Sequence, residues 1–291
     1  MKAGLFPGQG ISAREVLGAL DPGDPLLGGA HEILGHDPRA EVARCAEEDD
    51  NELPTSLAQP ALFGAGLAGW RRAQEEGKRF DYLAGHSLGE YTALVAAGAV
   101  PPEDALEGVK VRAEAMQDSS RTFPGGMAAV LKVDLPRAEE IAEQCGVYVA
   151  NDNSPGQVVL SGPRDGLDRA RGLVTQERGR WIDLKVSGAF HSPAMADDAE
   201  PLARVLDKAE IAEPAIPVIS NVTARPHGGP DEIRARLVEQ LTSRVRFRES
   251  LEWLWDQGVR DYEDLGPGNV AGGLARRTFR SLERKGDGGS G

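Results

Sequence analysis

The sequence predicts an α/β protein: a core built on a parallel sheet, with a smaller ferredoxin-like subdomain inserted into it. Three observations predict this. The first is a strand–turn–helix passage. Phe80-Asp81-Tyr82-Leu83-Ala84 is a short apolar run with strand character. Gly85-His86-Ser87-Leu88-Gly89 follows, and Thr92 to Ala97 is a strong helix former closed by Gly98 and Pro101-Pro102. A G-x-S-x-G between strand and helix marks a hydrolase-like core. The second observation is the order β-α-β-β-α-β between Gly125 and Ser187, which is that of a ferredoxin-like unit. The third is the return of strand and helix patterns after it. The core is therefore expected over 1–124 and 188–283, the small subdomain over 125–187, and a disordered tail over 284–291.

In chain order, Lys2 to Phe6 reads as a strand, and Pro7-Gly8-Gln9-Gly10 as a loop whose backbone can approach a ligand. Asp21 to Pro54 is rich in Gly, Pro and charge and reads as loops with short helices. Gln59-Pro60 opens a helix through Trp70. Within it, Gly64 to Gly69 matches G-x-G-x-x-G, but a dinucleotide fingerprint must follow a strand, so these are read as small residues for close helix packing. Pro102 to Gln117 is the next helix. In the insert, strands are expected at Met127–Val133, Tyr148–Ala150, Gln157–Leu160 and Trp181–Val186, with helices at Pro136–Gln144 and Arg164–Arg178. Beyond it come a strand at Pro217–Val222, helices at Asp231–Ser243 and Glu249–Gln257, a strand at Asp261–Leu265, and a last helix after Gly266-Pro267-Gly268.

Composition narrows the function classes. A net charge of −13 argues against nucleic acid and anionic membranes as partners. No run approaches a membrane span, and Met1 to Gly8 has no leader-type apolar stretch. Two cysteines, Cys45 and Cys145, make no disulfide framework, which suits a reducing compartment; the chain is expected to be cytoplasmic. His31 and His36 lie in no metal-ligand spacing, and no metal is expected.

Ser87 is the candidate nucleophile. The plain alternative is a helix-capping serine, but a cap does not need glycines on both sides. At a helix start, Ser87 meets free N–H groups and the positive end of the dipole, which favour an oxyanion. A nucleophilic serine needs a base. His191, in Ser187-Gly188-Ala189-Phe190-His191-Ser192-Pro193, lies downstream as a hydrolase-like dyad requires. On a turn of this kind His86 points away from Ser87, and His227, in Pro-His-Gly-Gly-Pro, reads as a surface turn. Ala105, Val109, Arg112 and Met116 share one helical face, so Arg112 points inward. Its spacing alone leaves open a structural salt bridge or a fork for a substrate carboxylate.

These motifs, with Asn153-Ser154-Pro155-Gly156-Gln157-Val158-Val159, Ser220-Asn221-Val222-Thr223, Gln240-Leu241-Thr242 and Gly266-Pro267-Gly268, stand in an order that resembles the malonyl-CoA:acyl-carrier-protein transacylases, including acyltransferases of polyketide synthesis. The resemblance spans nearly the whole chain. It implies Ser87 as nucleophile, His191 as base, the N–H groups of Gln9 and Leu88 as oxyanion hole, Arg112 as ligand of the substrate carboxylate, Gln240 as the carbonyl that orients His191, and Phe190 as a malonyl-selective residue. It implies no bound cofactor, malonyl-CoA as donor, and a phosphopantetheinylated acyl carrier protein as partner; the chain is expected to act as a monomer. After Phe6-Pro7-Gly8-Gln9-Gly10 the family usually continues Ser-Gln and reaches Gly-Met-Gly. Here Ile11-Ser12-Ala13-Arg14-Glu15-Val16 stands instead, which points to a specialised pathway. The alternatives are an acyl hydrolase that edits misloaded carrier proteins, transfer between carrier proteins, and a non-catalytic docking module.

Overall fold

Two sheets of opposite character organise the chain. The computed structural model describes residues 1–23, 25–48, 51–122, 125–186 and 188–287. From the N-terminus, β1 (Lys2–Phe6) leads to α1 (Ala13–Ala19), α2 (Pro25–Leu34), α3 (Pro38–Glu47) and α4 (Thr55–Glu75). Next, β2 (Tyr82–Gly85) turns into α5 (Gly89–Ala96), and α6 (Pro102–Thr122) runs to the insert. The insert is β3 (Gly125–Leu131), α7 (Leu135–Cys145), β4 (Tyr148–Ser154), β5 (Gln157–Pro163), α8 (Arg164–Gln176) and β6 (Arg180–Leu184). The chain returns through α9 (Ala199–Leu206), β7 (Val218–Ile219), α10 (Pro230–Glu239), α11 (Phe247–Asp256), β8 (Asp261–Asp264) and α12 (Val270–Asp287).

The first sheet has the order β7-β2-β1-β8, with every pairing parallel. Parallel strands need helices on both faces, and alternation along the strands supplies them. Phe6, Leu83 and Val218 point to a core shared with Phe63, Leu67 and Leu94, from α4 and α5. Ala3, Leu5, Ala84 and Ile219 point the other way, onto Phe247, Leu251, Leu254 and Ala275 of α11 and α12. The glycines of α4 serve this packing. A Cβ on Gly69 would lie 1.7 Å from the Leu265 carbonyl oxygen, and one on Gly66 would lie 2.8 Å from Thr92.

The second sheet has the order β4-β5-β3-β6, antiparallel throughout. With α7 and α8 it makes the expected β-α-β-β-α-β unit. Val130, Val158 and Leu160 pack under these helices with Ile141, Leu167 and Val174. Met127, Ala129 and Val159, on the opposite face, turn toward the larger lobe.

Several expectations need correction. Pro60 does not open α4; the helix starts at Thr55, where Leu57 and Ala58 already donate to the Pro54 carbonyl. The strand expected at Pro217–Val222 is only two residues long, because the Ser220 N–H bonds back to the Arg225 carbonyl and Ala224 adopts φ +54. The tail expected from residue 284 is helical through Asp287, and Arg284 and Lys285 in its last turn suit the negative end of the dipole; 288–291 lie outside the described residues. Cys45 and Cys145 are both buried and free.

Candidate active site

Gln9, Ser87, Asn221 and Gly266 all follow the carboxyl ends of strands in the parallel sheet, where an α/β sheet gathers its functional loops. The Ser87 turn is forced by sequence. Ser87 has φ +53, a left-handed conformation costly for a residue with a Cβ. A Cβ on Gly85 would lie 1.9 Å from the Gly89 backbone, and one on Gly89 would lie 2.4 Å from the Phe6 carbonyl oxygen, so neither glycine can be replaced without moving the turn. Asn221 braces it from β7: its Oδ1 accepts from the Ser87 N–H at 2.7 Å and its Nδ2 donates to the Gly85 carbonyl at 2.7 Å.

Ser87 Oγ lies 2.8 Å from His191 Nε2. The Nδ1–H of His191 donates to the Gln240 carbonyl at 2.9 Å, which leaves Nε2 to accept from the serine hydroxyl. Burial, and next the Arg112 cation, lower the His191 pKa to about 3, so the ring rests neutral. His191 also has a left-handed backbone, φ +54.

Arg112 on α6 is fully buried. Its Nη2 donates to Ser87 Oγ at 2.8 Å and to Gln240 Oε1 at 2.9 Å; its Nη1 donates to Gln59 Oε1 at 2.5 Å. All three acceptors are uncharged, and among the described residues Nε has no acceptor. Among the described residues Arg112 touches no carboxylate, which removes the direct structural salt bridge from the two readings its sequence position left open. Burial lowers its pKa, and Tyr91 and then Glu90 oppose that shift.

Amides of the first turn of α5 are mostly engaged. Gly89, Glu90 and Tyr91 donate to the carbonyls of His86, Ser87 and Leu88. Among the described residues the N–H groups of Gln9 and Leu88 have no protein acceptor. Phe190 is buried beside His191 and lines the cleft, and a Cβ on Gly188 would meet its ring at 2.3 Å.

The cleft measures about 1080 Å³ and lies between the lobes. Gln9, Ser87, Met116 and His191 line it from the core; Met127, Asn151, Asn153 and Val159 line it from the small lobe. His86 turns from Ser87 as expected. Its Nε2 lies 2.7 Å from Asn153 Oδ1, and its ring packs edge-on against Phe247 at 5.1 Å. His227 is a correction: it is no surface residue, because its Nε2 meets Glu90 Oε1 at 2.7 Å with both side chains fully enclosed. Sequence reasoning also missed Gln59, Glu90 and Asn221 as site residues. Asn221 stands in the Ser220-Asn221-Val222-Thr223 motif and Glu90 directly follows the serine motif, but only their long-range bonds reveal what they hold. Among the described residues no group of His, Cys, Asp and Glu converges as a metal site, and no helix is long and apolar enough to cross a membrane.

A serine paired with a neutral histidine, beside two spare amides and a buried guanidinium, is the equipment of a serine acyl-transfer enzyme. Residues 31–281 match the acyl transferase domain family. The malonyl CoA-acyl carrier protein transacylase of Bacillus subtilis (strain 168) is 38% identical over 291 residues, 96% of this chain and 90% of that protein. The polyketide biosynthesis protein ThaF of Burkholderia thailandensis is 42% identical over 284 residues, 95% of this chain but only 24% of ThaF. The solved malonyl CoA-acyl carrier protein transacylase of Coxiella burnetii superposes with a TM-score of 0.89 at 33% identity, covering 96% of this chain and 91% of that one. The chain belongs to the malonyl-CoA:acyl-carrier-protein transacylase family.

Proposed function

We propose that the protein moves a malonyl group from malonyl-CoA to the phosphopantetheine thiol of an acyl carrier protein, through a malonyl ester on Ser87. Ser87 Oγ attacks the thioester carbonyl while its proton passes to His191 Nε2. The tetrahedral oxyanion takes hydrogen bonds from the Gln9 and Leu88 amides. As the C–S bond breaks, CoA leaves with the proton from His191. The carrier thiol then gives its proton to His191, attacks the ester and releases Ser87. Arg112 holds the malonyl carboxylate, the Gln240 carbonyl orients His191, and Phe190 limits space at the malonyl α-carbon. The observation that carries the reading is the meeting of Ser87, His191 and Arg112 at hydrogen-bond distance, with Ser87 and His191 lining the cleft and Arg112 buried behind Ser87.

Catalysis is assigned to 1–124 with 188–283, and the second wall of the cleft to 125–187. The chain acts as a cytoplasmic monomer. The carrier protein approaches the α12 side. Val270 and Leu274 line the cleft, and the same helix carries Arg276, Arg277 and Arg280. The other basic cluster, Arg71, Arg72, Lys78 and Arg79, precedes the amino end of β2, away from Ser87, and Lys78 is tied to Glu76 and Glu263. A locally positive face suits an acidic carrier despite the net charge. Intact mass after incubation with malonyl-, methylmalonyl- and acetyl-CoA tests the reading: malonyl adduct on Ser87 is expected, and preferential acetylation overturns it.

A further inference from the structure

Beside Ser87 lies a line of buried side chains, Glu90, His227 and the Gln240 carboxamide, that acyl transfer, as written above, does not use and that does not line the cleft. Glu90, the first-turn acid of α5, is fully buried. Its Oε1 meets His227 Nε2 at 2.7 Å. Its Oε2 accepts from Gln240 Nε2 at 2.5 Å and from the Asn221 N–H at 3.2 Å. Gln240 Nε2 also donates to the Ser87 carbonyl at 3.2 Å, and Gln240 Oε1 accepts from Arg112 Nη2 at 2.9 Å. A carboxamide therefore stands between a buried carboxylate and a buried guanidinium.

Hydrogen-bond polarity decides what this line does. A carboxylate only accepts and a guanidinium only donates, so an amide joins them in one orientation: nitrogen to Glu90, oxygen to Arg112. Each buried charge alone is costly, and each needs a partner. A direct ion pair would satisfy both but would occupy the guanidinium fork. A link through an amide leaves Arg112 held by neutral oxygens, which an incoming anion can displace.

We propose that Glu90 is the counter-charge of Arg112, acting through the Gln240 side chain, and that His227 fixes Glu90 by donating its Nε2–H. Both are positioning residues; they aim the guanidinium at the substrate carboxylate. The proposal rests on the reading that Arg112 binds that carboxylate. Its consequence is selective: loss of the Glu90 charge harms donors with a free carboxylate and spares donors without one.

The test compares kcat/KM for malonyl-CoA and acetyl-CoA in the native protein, Glu90→Gln, Arg112→Ala and the double variant. A glutamine at 90 can donate as well as accept, so the Gln240 amide is no longer held one way. Malonyl transfer by Glu90→Gln is expected to fall ~10-fold, mostly in KM, with acetyl transfer within about two-fold of native. The double variant should be no worse with malonyl-CoA than Arg112→Ala, because linked residues do not add. His227→Gln keeps an N–H for Glu90 and should keep the malonyl-to-acetyl ratio, while His227→Leu should lower it; this pair carries the test if Glu90→Gln does not fold. Equal loss for both donors, full additivity, or an unchanged ratio in His227→Leu makes the line structural and overturns the proposal. If Arg112→Ala itself leaves the ratio unchanged, the carboxylate reading fails first, and this one with it.

Discussion

The two lobes use their sheets in opposite ways. In the parallel sheet both faces are buried, and function gathers on the loops beyond the strand ends: Gln9 after β1, Ser87 after β2, Asn221 after β7. In the antiparallel sheet one face is covered by α7 and α8, and the other face is itself the functional surface, presenting Met127, Ala129 and Val159 to the cleft. The proposed function therefore puts the chemistry in one lobe and the shape of the cleft in the other. The lobes meet at the cleft through polar contacts that include His86 with Asn151 and Asn153, Lys185 with Glu52, and Arg277 with Gln157.

The largest expected break in that division comes from the parallel lobe. Ser87→Ala should abolish covalent malonylation, seen by intact mass, and His191→Ala should slow it ~10²–10⁴-fold, the usual worth of general-base help. Full activity in either would move the chemistry elsewhere. Arg112→Ala comes next: it should lower malonyl transfer relative to acetyl transfer ~100-fold, since the charge-assisted contact is made only by a donor carboxylate. Equal loss for both donors would return Arg112 to a packing role. The small lobe should respond more weakly. Val159→Ala and Met127→Ala should raise KM for malonyl-CoA by roughly three- to ten-fold, as expected for lost apolar contact, with little change in kcat. A collapse of kcat in either would show that the wall takes part in chemistry.

The smallest effect is on pH. The folded state keeps His191 neutral down to about pH 3, whereas an ordinary histidine takes a proton near 6.5. No inflection at the ordinary value is therefore expected in kcat/KM for acylation. The unfolded chain binds this proton at higher pH than the folded one, so stability falls as pH drops below 6.5 toward 3. Removing the ring in His191→Ala should flatten that part of the stability curve, measured by urea unfolding at several pH values. An unchanged slope would place the acid sensitivity on other groups.

Legibility in the sequence followed the range of the interactions. The insert was readable element by element, because period-two strands, amphipathic helices and turn residues are local signals. The inward face of Arg112 was readable from helical spacing. Pro60 misled because its usual place at a helix start is only a preference; here the helix had already begun at Thr55. The residues around Arg112 were opaque for another reason. Glu90 meets Asn221, His227 and Gln240 across 131, 137 and 150 positions, and Gln59 meets Arg112 across 53, so no local window holds both partners. His227 looked like a loop residue because its neighbours Pro226, Gly228, Gly229 and Pro230 are turn formers, and a turn can still carry one side chain inward.

One feature of the backbone bears on the docking-module alternative. Ser87 and His191 both hold φ above +50, where a side chain costs about 1–3 kcal/mol and glycine costs little. A chain kept only to fold and present a surface gains nothing from a serine and a histidine at those two positions. Lys132, Arg178 and Ala224 hold such backbones too, so what argues against a docking module is the contact: the two strained residues meet, Ser87 Oγ on His191 Nε2, as the proposed acyl transfer requires and folding does not.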